Sequence, residues 1–218
     1  MITEKYRFNY DGEYVITKTI WADGEKKQER EWVPNTIING HISERAVVLY
    51  STAVKQKYDP RRLPKHKGGL LGKKKLQIYA VDSAILDLPA DFGVTSDRAL
   101  LENILHRNFN QRTICYTNTS NCIKYPGEFH LVPYSPGMAS EALGIYLACF
   151  DGHKEVFMYN FNKLEDASIV KQMAQVFKTY RGTKFYLVDQ NVQLPSHWKG
   201  LSNVDFMSVR DWIFHCDI

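Results

Sequence analysis

Several features that assign a protein to a class at first sight are missing from this chain of 218 residues. Its most apolar run, around Leu143–Phe150, is far shorter than the ~20 residues that cross a bilayer. Met1–Lys5 does not begin a signal peptide. The sequence contains no internal repeat and no low-complexity tract. We therefore expect no membrane span, and a location in the cytoplasm unless an assembly carries the protein out.

Paired cysteines are also missing. The four cysteines, Cys115, Cys122, Cys149 and Cys216, include no Cys-x-x-Cys pair, which is the usual sign of a zinc or redox site. Cys149 falls in an apolar stretch and Cys115 in a predicted strand, so buried thiols are favoured over disulfides or metal ligands. His215 and Cys216 are adjacent but have no further ligands nearby in the sequence. The sequence predicts no structural metal and no cofactor.

The chain carries a modest excess of positive charge, which is unevenly distributed along the sequence. The formal net charge is +4, yet nine lysines and arginines within Lys55–Lys75 are opposed only by Asp59. This basic segment is either a solvated loop or an anion-binding rim. In the second case we expect weak, salt-sensitive binding of polyanions without sequence preference. The residues expected to bind are Arg61, Arg62, Lys73, Lys74 and Lys75.

Apolar strands alternating with helical segments dominate the chain from about position 45 onward. Ala46–Ser51 and Leu76–Val81 are continuous apolar runs typical of buried parallel strands. Within Leu131–Phe161, a strand, a turn, a helix apolar on nearly every side and a second strand follow one another. Such a helix has no solvent-facing side and must pack inside a layered structure. The pattern predicts a Rossmann-like α/β fold, a mostly parallel sheet of about six or seven strands with helices on both faces.

Helix boundaries can be placed at acidic residues. Ser96-Asp97 is expected to cap a helix whose apolar stripe runs through Leu100–Leu105. Glu165-Asp166 is expected to open a second helix. Between these helices, the polar run around Asn118–Asn121 is predicted to be a loop.

Residues 1–40 differ in character from the rest. Asp11-Gly12 and Asp23-Gly24 each separate β-rich arms, which is a strong hairpin signal. The arm Glu25–Arg30 is too polar to be buried on both faces. We predict an N-terminal β-hairpin element over residues 1–40, exposed and suited to docking on partners, and a Rossmann-like α/β domain over residues 41–218.

A candidate ligand crevice follows from the predicted sheet. Ligands bind such sheets beyond the carboxyl ends of the strands, where the strand order reverses. The turn before the apolar helix also offers backbone N–H groups at a helix start, which suit phosphates and carboxylates. The predicted crevice consists of Tyr50, Ser51, Thr52, Asp82, Ser135, Gly137, Ser140, Asn160 and Asn162.

Part of the chain resembles known proteins. The runs QIYAVDSAI and PGMASEALGIYLACFDGHKEVFMYNFN resemble uncharacterised proteins of marine tailed phages. Those proteins in turn resemble a Rossmann-like glycosyltransferase group that includes bacterial sialyltransferases. The resemblance covers about Arg45–Asp189, and Gly137–Asn162 is its most specific part; the hairpins and the tail resemble the phage proteins only. It implies a nucleotide-sugar site in the predicted crevice.

The resemblance fails where a nucleotide would be contacted. A Gly-Asn-Gly-Pro-Ser turn of the group corresponds to Tyr50–Val54, which has no glycine to let a phosphate approach. A strand that ends in Cys-Asn in the group ends here in Val81-Asp82, whose carboxylate repels phosphate. The group's Gly-Phe-Asp is Asn160-Phe161-Asn162, and an amide cannot act as a base. The group's polar acceptor loop is also shortened here.

Three functional hypotheses remain. The first is a phage-encoded, catalytically degenerate relative that acts as a binding or structural protein, contacts phage or host proteins, and resides in the host cytoplasm or the virion. The second is an active nucleotide-sugar-dependent glycosyltransferase with Asp82, Asp97, His130 or His153 as acid or base. The third is a weak binder of polyanions or nucleic acid. The dismantled nucleotide turn favours the first, because fold alone does not dictate function.

Overall fold

The computed structural model describes residues 2–7, 13–34, 43–50, 58–63, 76–135, 137–161, 164–188 and 193–218. Within these residues the chain forms one eight-stranded sheet and a separate two-stranded sheet. Helices flank the larger sheet, which confirms the predicted α/β class.

The two-stranded sheet is a hairpin made by β1 (Glu13–Ala22) and β2 (Glu25–Pro34). The strands pair antiparallel along their whole length, from Glu13 opposite Pro34 to Ala22 opposite Glu25. Asp23 and Gly24 both have positive φ, at 54° and 79°, as a two-residue hairpin turn requires. The second predicted Asp-Gly turn is thus confirmed, whereas the first, Asp11-Gly12, lies outside the described residues.

The larger sheet is entirely parallel. Its order is β10-β9-β8-β3-β4-β5-β6-β7, so it has more strands than the six or seven predicted. From β3 the chain adds strands toward one edge and then returns to place β8 on the other side of β3. The strand order therefore reverses between β3 and β8. The strands are β3 (Arg45–Tyr50), β4 (Gln77–Val81), β5 (Phe92–Val94), β6 (Ile114–Thr117), β7 (His130–Leu131), β8 (Glu155–Tyr159), β9 (Lys184–Val188) and β10 (Val204–Met207).

Six α-helices occur in the described residues, namely α1 (Ala84–Asp87), α2 (Arg98–His106), α3 (Thr119–Lys124), α4 (Ser140–Phe150), α5 (Ala167–Thr179) and α6 (Val209–Cys216). One apolar cluster packs α4 and α5 on one face of the sheet, and a second packs α1, α2 and α6 on the other. Short α3 replaces the predicted polar loop, because the Asn118 side chain accepts from the Asn121 N–H at 3.0 Å and starts a helix there.

Helix α4 is the centre of the fold. All of its residues are buried, as its apolar composition predicted. At Gly144 the helix approaches β4 so closely that an added Cβ would lie 2.6 Å from Val81 Cγ2. The missing side chain lets the helix backbone lie directly on the sheet.

The predicted helix caps are confirmed. Asp97 accepts from the Ala99 N–H at 2.9 Å, and Asp166 accepts from the Ser168 N–H at 2.7 Å. All four cysteines are buried and unbonded to one another, as the sequence favoured. No helix among the described residues has the length and apolarity that a membrane span needs.

The N-terminal segment, residues 2–7, lies against the α/β core. Ile2 is buried in the α4–α5 cluster, and the Tyr6 ring meets the Tyr180 ring edge-on at 5.6 Å. The Tyr180 hydroxyl donates to the Lys5 carbonyl oxygen at 2.7 Å. The segment that precedes the hairpin is thus attached to the larger sheet and its helices.

Candidate functional site

The carboxyl ends of β3 and β8 lie side by side at the point where the strand order reverses, and Tyr50 is the last residue of β3. Its ring is half-buried and packs at 5.4 Å against Phe161, which follows β8. In a sheet of this kind the space between these two strand ends is where a ligand enters. Here an aromatic pair fills part of that space.

Asp82 follows β4 directly and turns back toward the sheet, with a φ of 51°. Its Oδ1 accepts from the Thr95 hydroxyl at 2.7 Å, and its backbone N–H donates to the Val94 carbonyl oxygen at 3.2 Å. Burial raises the pKa of Asp82, although hydrogen bonds from Ser140 and Thr95 act in the opposite direction. The carboxyl group is therefore held in place at the end of β4, and its proton is retained to higher pH than usual.

Ser140, the first residue of α4, connects the helix to the strand ends. Its Oγ accepts from the Ser96 N–H at 2.9 Å and lies 3.0 Å from the Ser96 hydroxyl. Ser140 also bonds to Asp82, so a chain of hydroxyls and a carboxyl joins the ends of β4 and β5 to the start of α4. The structure thus places Tyr50, Asp82 and Ser140 near one another at the carboxyl ends of the strands.

Glu141, which the predicted crevice omitted, is the second acid of this site. It is only 7% exposed and lies in the first turn of α4. Burial raises the pKa of Glu141, its own backbone N–H lowers it, and the nearby Asp82 charge raises it further. The Tyr50 hydroxyl donates to the Glu141 carboxylate, and burial together with this acid raises the pKa of Tyr50 to about 12. A single charged residue on an otherwise apolar helix was the sequence signal for this role.

The start of α4 differs from the anion site that the sequence predicted. The Ala139 N–H donates to Gln172 Oε1 at 2.8 Å, and the Glu141 N–H bonds to its own carboxylate. Two donors of the kind that would hold a phosphate are therefore engaged within the protein. The partial positive charge of the helix start faces a carboxylate of the same helix.

The other predicted crevice residues are placed as follows. Ser135 donates to the Val132 carbonyl oxygen at 2.8 Å. Gly137 is exposed, and an added Cβ there would touch nothing, so no steric need for glycine exists. Asn160 is buried at the end of β8, with a φ of 68°. Ser51, Thr52 and Asn162 lie outside the described residues.

The basic segment is described only in part. Arg61 and Arg62 are exposed on a short 3-10 turn, where Asp59 Oδ1 accepts from the Arg61 N–H at 3.0 Å. Lys73, Lys74 and Lys75 lie outside the described residues. The exposed guanidinium groups are compatible with either a solvated loop or an anion-binding rim.

Of the four candidate acids and bases, Asp82 is the one that lies half-buried beside Glu141 and Ser140. Asp97 is an exposed helix cap that contributes to the charge felt by Asp82. His130 is half-buried beside the Tyr116 ring, and His153 is buried before β8, at the opposite edge of the sheet. In the described part of the chain, no three acids, histidines or cysteines cluster as metal ligands do.

The fold is a Rossmann-like α/β fold in which the buried Glu141, the half-buried Asp82 and Tyr50 lie together at the carboxyl ends of the strands. No family model matches the chain, and neither a curated protein nor a solved structure matches it.

Proposed function

We propose that this chain is a catalytically degenerate, glycosyltransferase-like protein that acts by binding other proteins or as part of a structure, and not by transferring a sugar. The observation that carries the proposal is the Glu141 carboxyl group at the start of α4. Helix starts near the carboxyl ends of the strands favour phosphates in folds of this class, because their backbone N–H groups point at the anion. Here an acid of the protein lies there instead.

The electrostatic cost of a bound phosphate supports this interpretation. Two unit charges of like sign at 4 Å repel by about 4 kcal/mol at the effective dielectric constant of a protein surface. While Glu141 is ionised, a penalty of that size lowers affinity by roughly a thousandfold. Asp82 lies on the same side of the sheet as Glu141 and adds to the repulsion whenever it is ionised.

The steric contribution comes from Tyr50. Its ring packs against Phe161, and its hydroxyl is bonded to Glu141, so the side chain is held in the crevice from both ends. A diphosphate could approach the backbone at this position only after both contacts were broken. The resemblance to phage proteins supports a partner of phage or host origin, met in the host cytoplasm or in the virion.

The test is titration calorimetry of the whole protein against nucleotide sugars and nucleoside monophosphates. We expect no measurable heat of binding. A dissociation constant below the millimolar range for any of these compounds would overturn the proposal. Mass spectrometry of purified particles, if the protein is phage-encoded, then distinguishes a virion component from an intracellular binding protein.

A second candidate function, an active glycosyltransferase, is favoured by one observation. Asp82 and Glu141 both have raised pKa values, and the Asp82 charge is one of the causes that raise the pKa of Glu141. A carboxyl group that keeps its proton closer to neutral pH is suited to general acid catalysis. If the protein is an active glycosyltransferase, the wild type must consume a nucleotide-sugar donor. Asp82→Asn and Glu141→Gln must then each abolish donor consumption. If the wild type consumes no donor, the binding function stands.

A further inference from the structure

A buried polar network lies at the amino ends of the strands, opposite the crevice. The Arg7 guanidinium donates from Nε to Asp151 Oδ1, and the Arg7 side chain is 5% exposed. Asp151 follows the last residue of α4. Its second oxygen, Oδ2, lies 2.7 Å from the hydroxyl of Tyr79, which is fully buried on β4.

His153 continues the network toward the chain that enters β3. Its Nε2 lies 2.9 Å from the Tyr79 hydroxyl, and its Nδ1 lies 2.8 Å from the Ser43 carbonyl oxygen. The ring is 2% exposed and meets the Tyr79 ring edge-on at 5.7 Å. The Thr183 hydroxyl donates to the His153 carbonyl oxygen at 3.1 Å, so the backbone of His153 is also held in place.

The hydrogen bonds of this network need one proton more than a neutral His153, a neutral Tyr79 and an ionised Asp151 carry together. A carbonyl oxygen only accepts, so His153 Nδ1 must carry a hydrogen to bond to Ser43. An ionised carboxylate only accepts, so the one hydroxyl hydrogen of Tyr79 goes to Asp151. The Tyr79 oxygen must then accept from His153 Nε2, which therefore carries a hydrogen as well.

Within this described network, the extra proton can be on His153 or on Asp151. A protonated Asp151 could donate to Tyr79, but the buried Arg7 guanidinium would then lose the charge of the carboxylate to which its Nε donates, which is strongly unfavourable. The Arg7 guanidinium also lies over the rings of Tyr116 and Phe150, at 5.7 and 5.2 Å, and so stays in the same place. These contacts favour an ionised Asp151 and a charged His153.

The network also connects the two ends of the hairpin segment to the core. Arg7 directly precedes residues 8–42, which contain the hairpin, and Ser43 directly follows them. Arg7 is attached through Asp151, and Ser43 is attached through His153. Tyr79 joins the two attachments. We propose that His153 is a buried imidazolium that latches both ends of the hairpin segment to the α/β core and releases them when it loses its proton.

The direction of the pH effect follows from linkage. A histidine in an unfolded chain loses its proton near pH 6.5. His153 keeps its proton to higher pH in the folded protein, so its contribution to stability is complete below about pH 6.5 and is lost as the pH rises through its folded-state titration. Among the described residues, Tyr79 from β4 contacts the His153 ring directly, and Asp151 from the end of α4 bonds to the same Tyr79 hydroxyl. Arg7 from the N-terminal segment and Tyr116 from β6 interact electrostatically with Tyr79, while Cys149 from α4 interacts with Asp151 and Glu4.

The first test is NMR of wild-type protein with ¹⁵N-labelled histidine. We expect both ring nitrogens of His153 to carry hydrogens at pH 7, with a titration midpoint above the ordinary value. One bare ring nitrogen at pH 7 would overturn the assignment of the proton. The seven histidines of the chain give an internal reference, since His215 is partly exposed and its ring faces Glu155 instead.

Two variants distinguish the effect of the Tyr79–His153 hydrogen bond from the effect of removing any buried tyrosine hydroxyl. Tyr79→Phe removes the acceptor of His153 Nε2, so the proton affinity of His153 should fall more than tenfold. Tyr159→Phe removes an equally buried strand hydroxyl, bonded to the Tyr58 carbonyl oxygen at 2.7 Å, and should leave His153 unchanged. Equal effects of the two substitutions would contradict the proposal.

The latch itself is tested by hydrogen exchange of residues 2–7, corrected for the intrinsic pH dependence of exchange. In the wild type we expect protection of this segment to fall as His153 titrates. In His153→Gln, which cannot lose a proton, protection should be constant over the same pH range. If the wild-type segment stays equally protected throughout the titration, His153 is charged but is no latch, and the proposal fails.

Discussion

The Tyr50 hydroxyl donates a hydrogen bond to the Glu141 carboxylate across the place where strand order reverses in the sheet. Tyr50 comes from the end of β3 and Glu141 from the start of α4, so the bond joins the strand to the helix. In a nucleotide site at these strand ends, both positions would lie near phosphate. Here the two side chains bond to each other.

Replacing Glu141 with Gln should change how stability depends on pH. Because the pKa of Glu141 is raised in the folded protein, the wild type loses stability as the pH rises through the ordinary value toward the raised one. Each unit by which the pKa is raised corresponds to about 1.4 kcal/mol. We expect Glu141→Gln to gain stability relative to the wild type as the pH rises above the ordinary glutamate pKa of about 4.3, as measured by urea unfolding.

Glu102→Gln is a matched control with the opposite sign. The Tyr125 hydroxyl and the Lys124 ammonium group lower the pKa of Glu102. A carboxyl with a lowered pKa contributes stability above its ordinary pKa and loses it as the pH falls. If both variants shift the pH profile in the same direction, the assignment of a buried, proton-retaining Glu141 is wrong.

Gly144→Ala should destabilise the protein although alanine is the better helix former. The added Cβ would lie 2.6 Å from Val81 Cγ2, so the helix or the strand must shift. Overpacking of this kind costs about 1–3 kcal/mol, while the gain in helix propensity is at most about 1 kcal/mol. Gly137→Ala meets nothing within 4 Å and should stay within about 0.5 kcal/mol of the wild type. The free energy of unfolding in urea is measured for both variants. If Gly144→Ala is as stable as Gly137→Ala, the interface between α4 and β4 is not closely packed at Gly144.

Asp205→Val should make the protein associate. Strand β10 is an edge strand, and no strand among the described residues pairs with its outer side. Asp205 Oδ1 accepts from the Phe206 N–H at 2.7 Å, and Phe206 is 38% exposed. A charged side chain that binds a backbone N–H of an edge strand in this way discourages that strand from pairing with a strand of another chain. Sedimentation should show a monomeric wild type and a concentration-dependent increase in mass for the variant; an unchanged mass would show that Asp205 does not protect the edge.

The sequence predicted the layered core well because its signals are local. The uninterrupted apolar character of Ala142–Phe150 is enough to require burial, and the structure buries every residue of α4. The Asp97 and Asp166 caps were also predictable, since a cap depends on neighbours two or three positions away. Helix α3 was missed because its polar residues carry no apolar stripe, and the Asn118 cap alone starts it.

The site could be predicted only in part, because its chemistry depends on distant pairs. Ser140 and Asp82 were expected at the same edge from topology alone, but the bond between Tyr50 and Glu141 depends on how α4 is placed along β3. The network of Arg7 and Asp151 is more remote still, since the two residues are 144 positions apart. No periodic pattern connects such positions.

The last prediction concerns the basic segment, whose described members Arg61 and Arg62 are exposed. A diffuse contact between these cations and a polyanion releases counterions, so binding should weaken steeply with added salt. We expect weak retention of the wild type on heparin or DNA at low ionic strength and none near physiological salt. Changing the five predicted residues to Gln should remove retention at low salt; these residues are Arg61, Arg62, Lys73, Lys74 and Lys75.

The control must lose the same charge elsewhere, since any loss of five cations weakens binding to a polyanion. Exposed residues suited to it are Lys171, Lys178, Arg181, Lys199 and Arg210, which belong to or follow α5, or lie near the carboxyl end of the chain. If both Gln variants elute together, the segment is a solvated loop and the retention reflects net charge alone. A diffuse contact of five cations with DNA is too weak to survive the screening by physiological salt. If the wild type binds DNA tightly under those conditions, nucleic-acid binding therefore replaces protein binding as the better proposal.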